Sequence, residues 1–529
     1  MDKLFILLER IFTNKKVYWT IFIVGVLALS IFQYLGLAIH HYPVPPGHDA
    51  MMHWNMAQPF YQGNVNLLDY LKSGAYPPGF LIFIAKMAHL FNTDMMEIIK
   101  WFAPSIIVLA AVSMFYLVYY IFNPNSALIC FYLYSFTAKI QIQQLNDGGY
   151  PNLIAAQILL PLFMLMLFLF IKNKKLINKI ILGFITLVLL ISLPITHHLT
   201  TLYLLAVLAT LPIVVIIYKT TTKTWSVKKG LLYLLAMSVI LLVGFYIFLT
   251  SDFFTSTREL MGGSIKTLKS WPFFKINNNQ DPEAIILLKD YASYIGGVFV
   301  FYFGCLGVLT LGFEKKMKNK VWLFPILIWA VLLFFASRLS FLSNPDRLVR
   351  DLVYPLSITA GLFIYFATNF LIRKNKVFGY IFIIIMLAFL GRYMIKNIKT
   401  ATTYNNMVRI TEADMQAINY LKEQKVGSVY VEAYTFYFER FLPDWSTTYL
   451  WGPQTYQSPS IHPLDPSNAK ELTALKNYDY VYIVDSQIGW TPTAVTFGFA
   501  TNYLDNPNFE LKVHAKSETN EVYLFKVKQ

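Results

Sequence analysis

Apolar runs of about twenty residues, separated by short polar or basic stretches, recur from residue 17 to residue 394. At 1.5 Å of rise per residue, a helix of about twenty residues crosses the roughly 30 Å of hydrocarbon in a bilayer. The runs are 17–38, 98–122, 127–142, 153–171, 177–195, 199–218, 231–250, 291–313, 321–336, 352–372 and 377–394, which predicts about 11 transmembrane helices. The first is too long for a signal-peptide core and has no small-residue cleavage site, so it is expected to stay as an anchor. One further run, 77–91, is shorter, carries Lys86 and His89, and is followed by Asp94 and Glu97. Such a segment predicts an interfacial helix that does not cross.

Charge placement agrees: with 77–91 not crossing, three crossings carry the chain from the first exterior loop to the basic cluster at 172–179. Only 14% of the 529 residues are charged while 56% are apolar, and the net charge is +15. The cations gather between runs, at Lys15-Lys16, 172–179, 219–229, 315–320 and 373–376. Short Lys/Arg-rich loops stay cytoplasmic, so the basicity records orientation, and no nucleic-acid partner is implied. The expected location is a multi-pass cell-membrane protein with a cytoplasmic N-terminus. On the opposite, extracytoplasmic side fall the first exterior loop (40–97), a second loop (251–290), the segment 338–351 and the C-terminal domain. Cys130 and Cys305 both lie in apolar runs, which argues against a disulfide or metal framework.

The pattern changes near residue 396. Residues 1–395 read as the membrane domain and 396–529 as a small exterior soluble α/β domain. Thr411-Glu412-Ala413-Asp414 opens an amphipathic helix with a cap residue and acids in its first turn. Residues 470–476 suggest another helix, and 428–432, 478–484 and 522–527 are β-like.

Four polar groups at the outer ends of the runs are candidates for chemistry. The first is Gly47-His48-Asp49-Ala50-Met51-Met52-His53, where Asp49 and His53 would share one helix face. The spacing is not that of a His-Glu-x-x-His zinc protease, and Asp49 could equally cap the helix that starts here. The second is Asp147 in Asn146-Asp147-Gly148-Gly149-Tyr150-Pro151-Asn152, where turn chemistry alone accounts for the residues. The third is the pair His197-His198, an interfacial anchor or a contact for a phosphate or substrate hydroxyl. The fourth is a set of arginines, Arg338, Arg347 and Arg350. The last two stand one helical turn apart and suit a phosphate, or pair with Asp346 and Asp351. Ionisable groups at membrane depth are functional candidates by default.

With Asp49 after the first run, the turn Tyr76-Pro77-Pro78-Gly79, the second acid Asp147 and an exterior C-terminal domain, the chain resembles the GT-C fold of membrane glycosyltransferases. Protein O-mannosyltransferases and lipid A aminoarabinose transferases are examples. It differs from some relatives in having one acid, not an adjacent pair, in the first loop. It also lacks the Trp-Trp-Asp motif of oligosaccharyltransferases, since Tyr449-Leu450-Trp451-Gly452 does not replace it.

The resemblance implies transfer of a hexosyl or pentosyl group from a polyprenyl phosphate to an acceptor hydroxyl on a lipid, glycan or protein, outside the cytoplasm. It implies Asp49 and Asp147 as the catalytic acids. Tyr76, His53, His197, His198, Arg347 and Arg350 would contact substrate or donor phosphate. The resemblance fixes no cofactor, and a divalent cation, if used, would sit on Asp49 and Asp147. Other readings stay open: a polytopic transporter or lipid flippase, and an inactive relative serving as a scaffold whose Tyr434, Phe436, Tyr437, Trp445, Tyr449 and Trp451 stack on sugars, although aromatics in a small domain more often form its core.

Overall fold

A computed structural model describes residues 15–45, 49–72, 76–137, 148–221, most of 291–337, 345–402, 410–431, 441–449, 464–486, 499–517 and 520–528, with scattered positions between 226 and 250. Asp147, Arg338 and the 251–290 loop lie outside the described residues, as do Tyr434, Phe436, Tyr437 and Trp451. The described chain divides into two compact units. One comprises 1–35, 56–145 and 149–401, and the other 36–55, 146–148 and 402–529.

The first unit is a multi-pass helical membrane bundle. In chain order its helices, some of which share residues with the second unit, are α1 (Lys15–His40), α2 (Asp49–Tyr61), α3 (Leu67–Lys72), α4 (Gly79–Phe91), α5 (Met95–Ile121) and α6 (Pro124–Thr137). There follow α7 (Tyr150–Lys172), α8 (Leu176–Thr196), α9 (His198–Thr221), α10 (Tyr291–Tyr294) and α11 (Val298–Thr310). The set ends with α12 (Leu323–Ala336), α13 (Pro345–Asp351), α14 (Val353–Lys374) and α15 (Lys376–Thr402). Among the described residues, seven helical stretches are long and apolar enough to span a bilayer. The segment 77–91 is a short helix, α4, as its length and charges suggest. The run 291–313 is not one helix: it breaks after α10, where the Gly297 amide turns back to the Ala292 carbonyl at 3.1 Å. The 338–351 segment ends in helix α13, directly ahead of α14.

Close approach is supplied by small residues, as expected where lipid offers no hydrophobic drive between helices. A Cβ on Gly304 would meet Leu356 at 2.9 Å, and one on Gly307 would strike the Thr359 carbonyl. In return, the Thr359 hydroxyl donates to the Gly304 carbonyl at 3.1 Å, locking α11 against α14. Tyrosines tie α1 to its neighbours: Tyr132 donates to the Ile21 carbonyl at 2.9 Å and Tyr34 to that of Trp101 at 2.8 Å. A cavity of about 530 Å³ opens between α1, α6, α14 and α15, lined by Ile21, Leu128, Tyr132, Ile364 and Leu387, and it includes none of the candidate residues.

Helix α7 is irregular for an identifiable reason. Pro161 has no amide hydrogen, so the Gln157 carbonyl lacks its usual helical donor. Residues Ala155–Leu159 widen into a π-turn, and the Ser113 hydroxyl donates to that carbonyl at 2.7 Å. Tyr354 reaches Ser113 at 2.9 Å, and Tyr134 donates to the Gln157 side chain.

In the second unit a five-stranded sheet runs in the order β2-β1-β3-β5-β4. The strands are β1 (Ser428–Val431), β2 (Ser446–Tyr449), β3 (Tyr480–Ser486), β4 (Phe509–Lys516) and β5 (Asn520–Val527). β1 pairs in parallel with β2 and β3, while β5 pairs antiparallel with β3 and β4. Alternation sends Val429, Val431, Tyr482 and Leu524 onto one face, beneath α16 (Glu412–Lys422). The other face, with Tyr430, Val481, Ile483 and Phe525, packs on α17 (Ala469–Leu475) and α18 (Phe499–Leu504). Trp445 belongs to the first core, against Tyr480, the role that aromatics in a small domain more often take, and so it is not one of the sugar-stacking side chains. The side chain of Tyr449 lies outside the described residues.

A buried acid fixes α16. Asp414 accepts from the Thr411 amide at 2.7 Å in a capping box, and from the Tyr482 hydroxyl. Burial, reinforced by the Asp414 charge, pushes the Tyr482 pKa well above that of an ordinary phenol, so it stays a donor.

Three outcomes check these packing arguments by thermal unfolding of the full-length protein in detergent. Gly307→Val should destabilise by about 1–3 kcal/mol, because overpacking forces α11 off α14. Gly312→Val, where a Cβ has nothing within 4 Å, should leave the melt unchanged. Tyr482→Phe should cost about 1–3 kcal/mol by leaving a buried carboxylate oxygen without its donor. A protease-sensitivity assay of the C-terminal segment should show the loss.

Candidate functional site

The candidate residues fall into two clusters, one in each unit. In the second unit, Asp49 begins α2 and His53 follows one turn later. His53 is 2% exposed, and its Nε2–H donates to the Gly148 carbonyl at 3.1 Å. A carbonyl can only accept, so Nε2 carries the proton.

Gly148 is held more tightly than turn chemistry alone requires. Its φ is +80°, a conformation that L side chains rarely adopt. A Cβ there would sit 2.7 Å from Asp49 Cβ and 2.8 Å from the Ala50 amide nitrogen. The two acid-bearing segments, far apart in sequence, therefore meet backbone to backbone at the residue next to Asp147. Among the described residues no group of three or more His, Cys, Asp or Glu could hold a metal ion.

In the first unit the Tyr-Pro-Pro-Gly turn and the His-His turn come together. Gly79 lets the start of α4 lie against the end of α8, since a Cβ would be 2.9 Å from the Ile195 carbonyl oxygen. Three residues earlier, Tyr76 stands edge-on to His198 with ring centroids 5.7 Å apart. His197 is the single non-helical residue between α8 and α9, with φ −160° and ψ 124°. Its extended backbone makes it the cap of α9: the Thr201 amide donates to its carbonyl at 3.3 Å.

Behind the His-His turn lies an acid that sequence reading treated only as an ion-pair partner for the arginines. Asp351 is 0% exposed. It accepts from Asn152 Nδ2 at 2.8 Å on one oxygen and from the Tyr203 hydroxyl at 3.3 Å on the other. Tyr203 also lies 2.9 Å from the Thr200 hydroxyl, which is 3.1 Å from His197 Nδ1. Asn152 was visible in the Tyr150-Pro151-Asn152 motif, but nothing in sequence joins it to a residue 199 positions away. Arg350 precedes Asp351 in α13. Arg347 is in the same helix, with its side chain outside the described residues.

No protein-family model matches the chain, and no curated protein matches it in sequence. Solved structures do match. The oligosaccharyltransferase of Archaeoglobus fulgidus gives a TM-score of 0.53 in its apo form, at 12% identity, over 89% of this chain and 70% of that one. Tethered to an acceptor peptide, it gives 0.55 at 13% identity, over 90% and 70%. ArnT of Cupriavidus metallidurans, bound to undecaprenyl phosphate, gives 0.51 at 13% identity, over 95% of this chain and 97% of that one. These are membrane glycosyltransferases of the GT-C fold, and the chain shares that fold.

Proposed function

We propose that the protein is an integral membrane glycosyltransferase that moves a sugar from a polyprenyl-phosphate donor to an acceptor hydroxyl on the extracytoplasmic face. The observation that carries this reading is the seat of Gly148 on the backbone of Asp49, within a chain of GT-C fold. It brings the segment bearing the second acid onto the first. The lipid phosphate bound by ArnT supports a lipid-linked donor here, and the acceptor peptide tethered to the archaeal enzyme supports a separate acceptor molecule, while the hydroxyl as acceptor group rests on the resemblance.

In this reading the acceptor oxygen attacks the anomeric carbon, and a new carbon–oxygen bond forms. The anomeric bond to phosphate breaks, and the phosphate leaves with the electron pair. Asp49 takes the acceptor proton, and Asp147 orients the acceptor. Arg347 and Arg350 stabilise the charge gathering on the departing phosphate. His53 acts behind Asp49, by bonding the Gly148 carbonyl that holds the two segments together.

Asp49→Asn keeps the shape and removes the base, so turnover of a polyprenyl-phosphate sugar should fall by about 10²–10⁴-fold. Near-wild-type turnover by well-folded Asp49→Asn protein would eliminate Asp49 as the base. Gly148→Val should also lower turnover, by displacing Asp49. Gly149→Ala, at φ −70°, should be tolerated.

A further inference from the structure

The cavity between α1, α6, α14 and α15 belongs to neither candidate cluster, and its walls change character with depth. Beyond the end lined by Ile372 and Tyr380 stand the cations of the α14–α15 hairpin. Arg373 and Lys374 close α14, and Lys376 opens α15. All three are exposed, and none is ion-paired among the described residues. Lys15 and Lys16 begin α1 at the same end, where the Tyr18 hydroxyl donates to the Pro124 carbonyl at 2.9 Å.

The polar part of the wall comes next. Asn369 lies about 6 Å of helix rise below Arg373, and Thr368 is one residue deeper. Asn125, in the first turn of α6, shares the wall with them. None of these three side chains makes a hydrogen bond among the described residues. Deeper still the lining is apolar, with Ile364, Leu387 and Leu390. Lys376 to Leu390 spans about 21 Å of helix, more than the about 15 Å of hydrocarbon in one leaflet.

The packing of α15 holds this space open. Gly379 seats its start on the end of α14, where a Cβ would lie 2.8 Å from the Ile372 amide nitrogen. Further along, Phe389 meets Phe299 of α11 with ring centroids 4.7 Å apart, and Asn397 Nδ2 donates to the Phe136 carbonyl at 2.7 Å. A helix held at both ends cannot move inward to close the gap. The volume of about 530 Å³ is within the range of ligand pockets, about 300–1,000 Å³.

We propose that the cavity holds one acyl chain of an anionic glycerophospholipid, drawn from the leaflet on the basic side of the bundle, with its phosphate against Arg373, Lys374 and Lys376. The order along the wall matches the order along such a molecule: anion, ester carbonyls, hydrocarbon. Asn125, Thr368 and Asn369 donate to the ester carbonyls, which spares polar side chains from facing hydrocarbon alone. The cations select the headgroup, since each Lys or Arg at a membrane surface favours an anionic lipid by about fivefold. An isoprenoid phosphate suits the wall less well, because it brings no ester carbonyl to the polar part. The site is separate from the His-His cluster: Asp351 lies at the far end of α14, about 33 Å of helix from Arg373.

Photolabelling of the wild-type, full-length protein tests this. Vesicles of mixed dioleoyl phosphatidylglycerol and phosphatidylcholine carry a diazirine midway along an acyl chain of one lipid or the other. Helix α8 is the internal reference, since it is 6% buried over its most apolar stretch and adjoins cations of its own, Lys174 and Lys175. The ratio of phosphatidylglycerol to phosphatidylcholine labelling at Ile364, Leu387 and Leu390 should exceed the ratio on α8 by about fivefold or more. Equal ratios at the two places would mean ordinary surrounding lipid and would overturn the proposal. So would displacement of the phosphatidylglycerol label by an equal amount of undecaprenyl phosphate. Changing Arg373, Lys374 and Lys376 together to Gln should bring the cavity ratio down to that of α8, whereas the same change at Lys174, Lys175 and Lys179 should leave it high. An unchanged ratio in the folded 373/374/376 variant would also overturn the proposal. The wild-type arm needs neither a variant nor turnover, so its result stands apart from that of the Asp49→Asn assay.

Discussion

A carboxylate enclosed by apolar helices must be hydrogen-bonded, and Asp351 meets that demand with groups drawn from two other helices. Asn152 comes from α7 and Tyr203 from α9, so satisfying one acid fixes the rotation of both. Lipid-exposed Leu, Ile and Phe cannot do this, since one apolar side chain replaces another at little cost. The same logic explains the π-turn in α7. Pro161 strips a donor from the Gln157 carbonyl, and Ser113 of α5 supplies the replacement, linking a third helix. The polar groups inside the membrane unit thus specify which faces meet, while small residues such as Gly304 and Gly307 set how closely.

The candidate residues gather where these fixed helices end. The His-His turn is one extended residue between α8 and α9, and Gly79 lets the Tyr76 turn lie against it. The Asp49 segment is positioned separately, by Gly148 and by the His53 bond to its carbonyl. Both clusters use a glycine for contact and a histidine for direction. In the Asp49 cluster the Gly148 carbonyl, which can only accept, puts the His53 proton on Nε2.

Local physics was legible in the sequence, and long-range pairing was not. The apolar runs, the short charged α4, the start of α2 at Asp49 and the Thr411–Asp414 capping box all rest on neighbouring residues. Strands β1, β3 and β5 were expected because their β-branched and aromatic residues alternate. Strands β2 and β4 escaped notice: Ser446–Tyr449 is short and polar, and Phe509–Lys516 is largely exposed or half-buried, so neither shows a core period. The break ahead of Gly297 lies at a Gly296-Gly297 pair, a turn signal that a count of apolar residues passes over. Asp351 was read only as a partner for arginines because Tyr203 and Asn152, which also bond it, lie 148 and 199 positions away. The side chains of Asp147 and Arg347 lie outside the described residues, and their roles rest on the resemblance and on chemistry.

The most direct measurement is to incubate full-length protein in nanodiscs with a panel of labelled polyprenyl-phosphate sugars and an acceptor-containing membrane extract. Liberation of polyprenyl phosphate from one donor, matched by transfer of its sugar, is the expected result. Intact donor throughout the panel, from protein that redistributes these lipids between leaflets, would contradict the glycosyltransferase reading and favour a flippase.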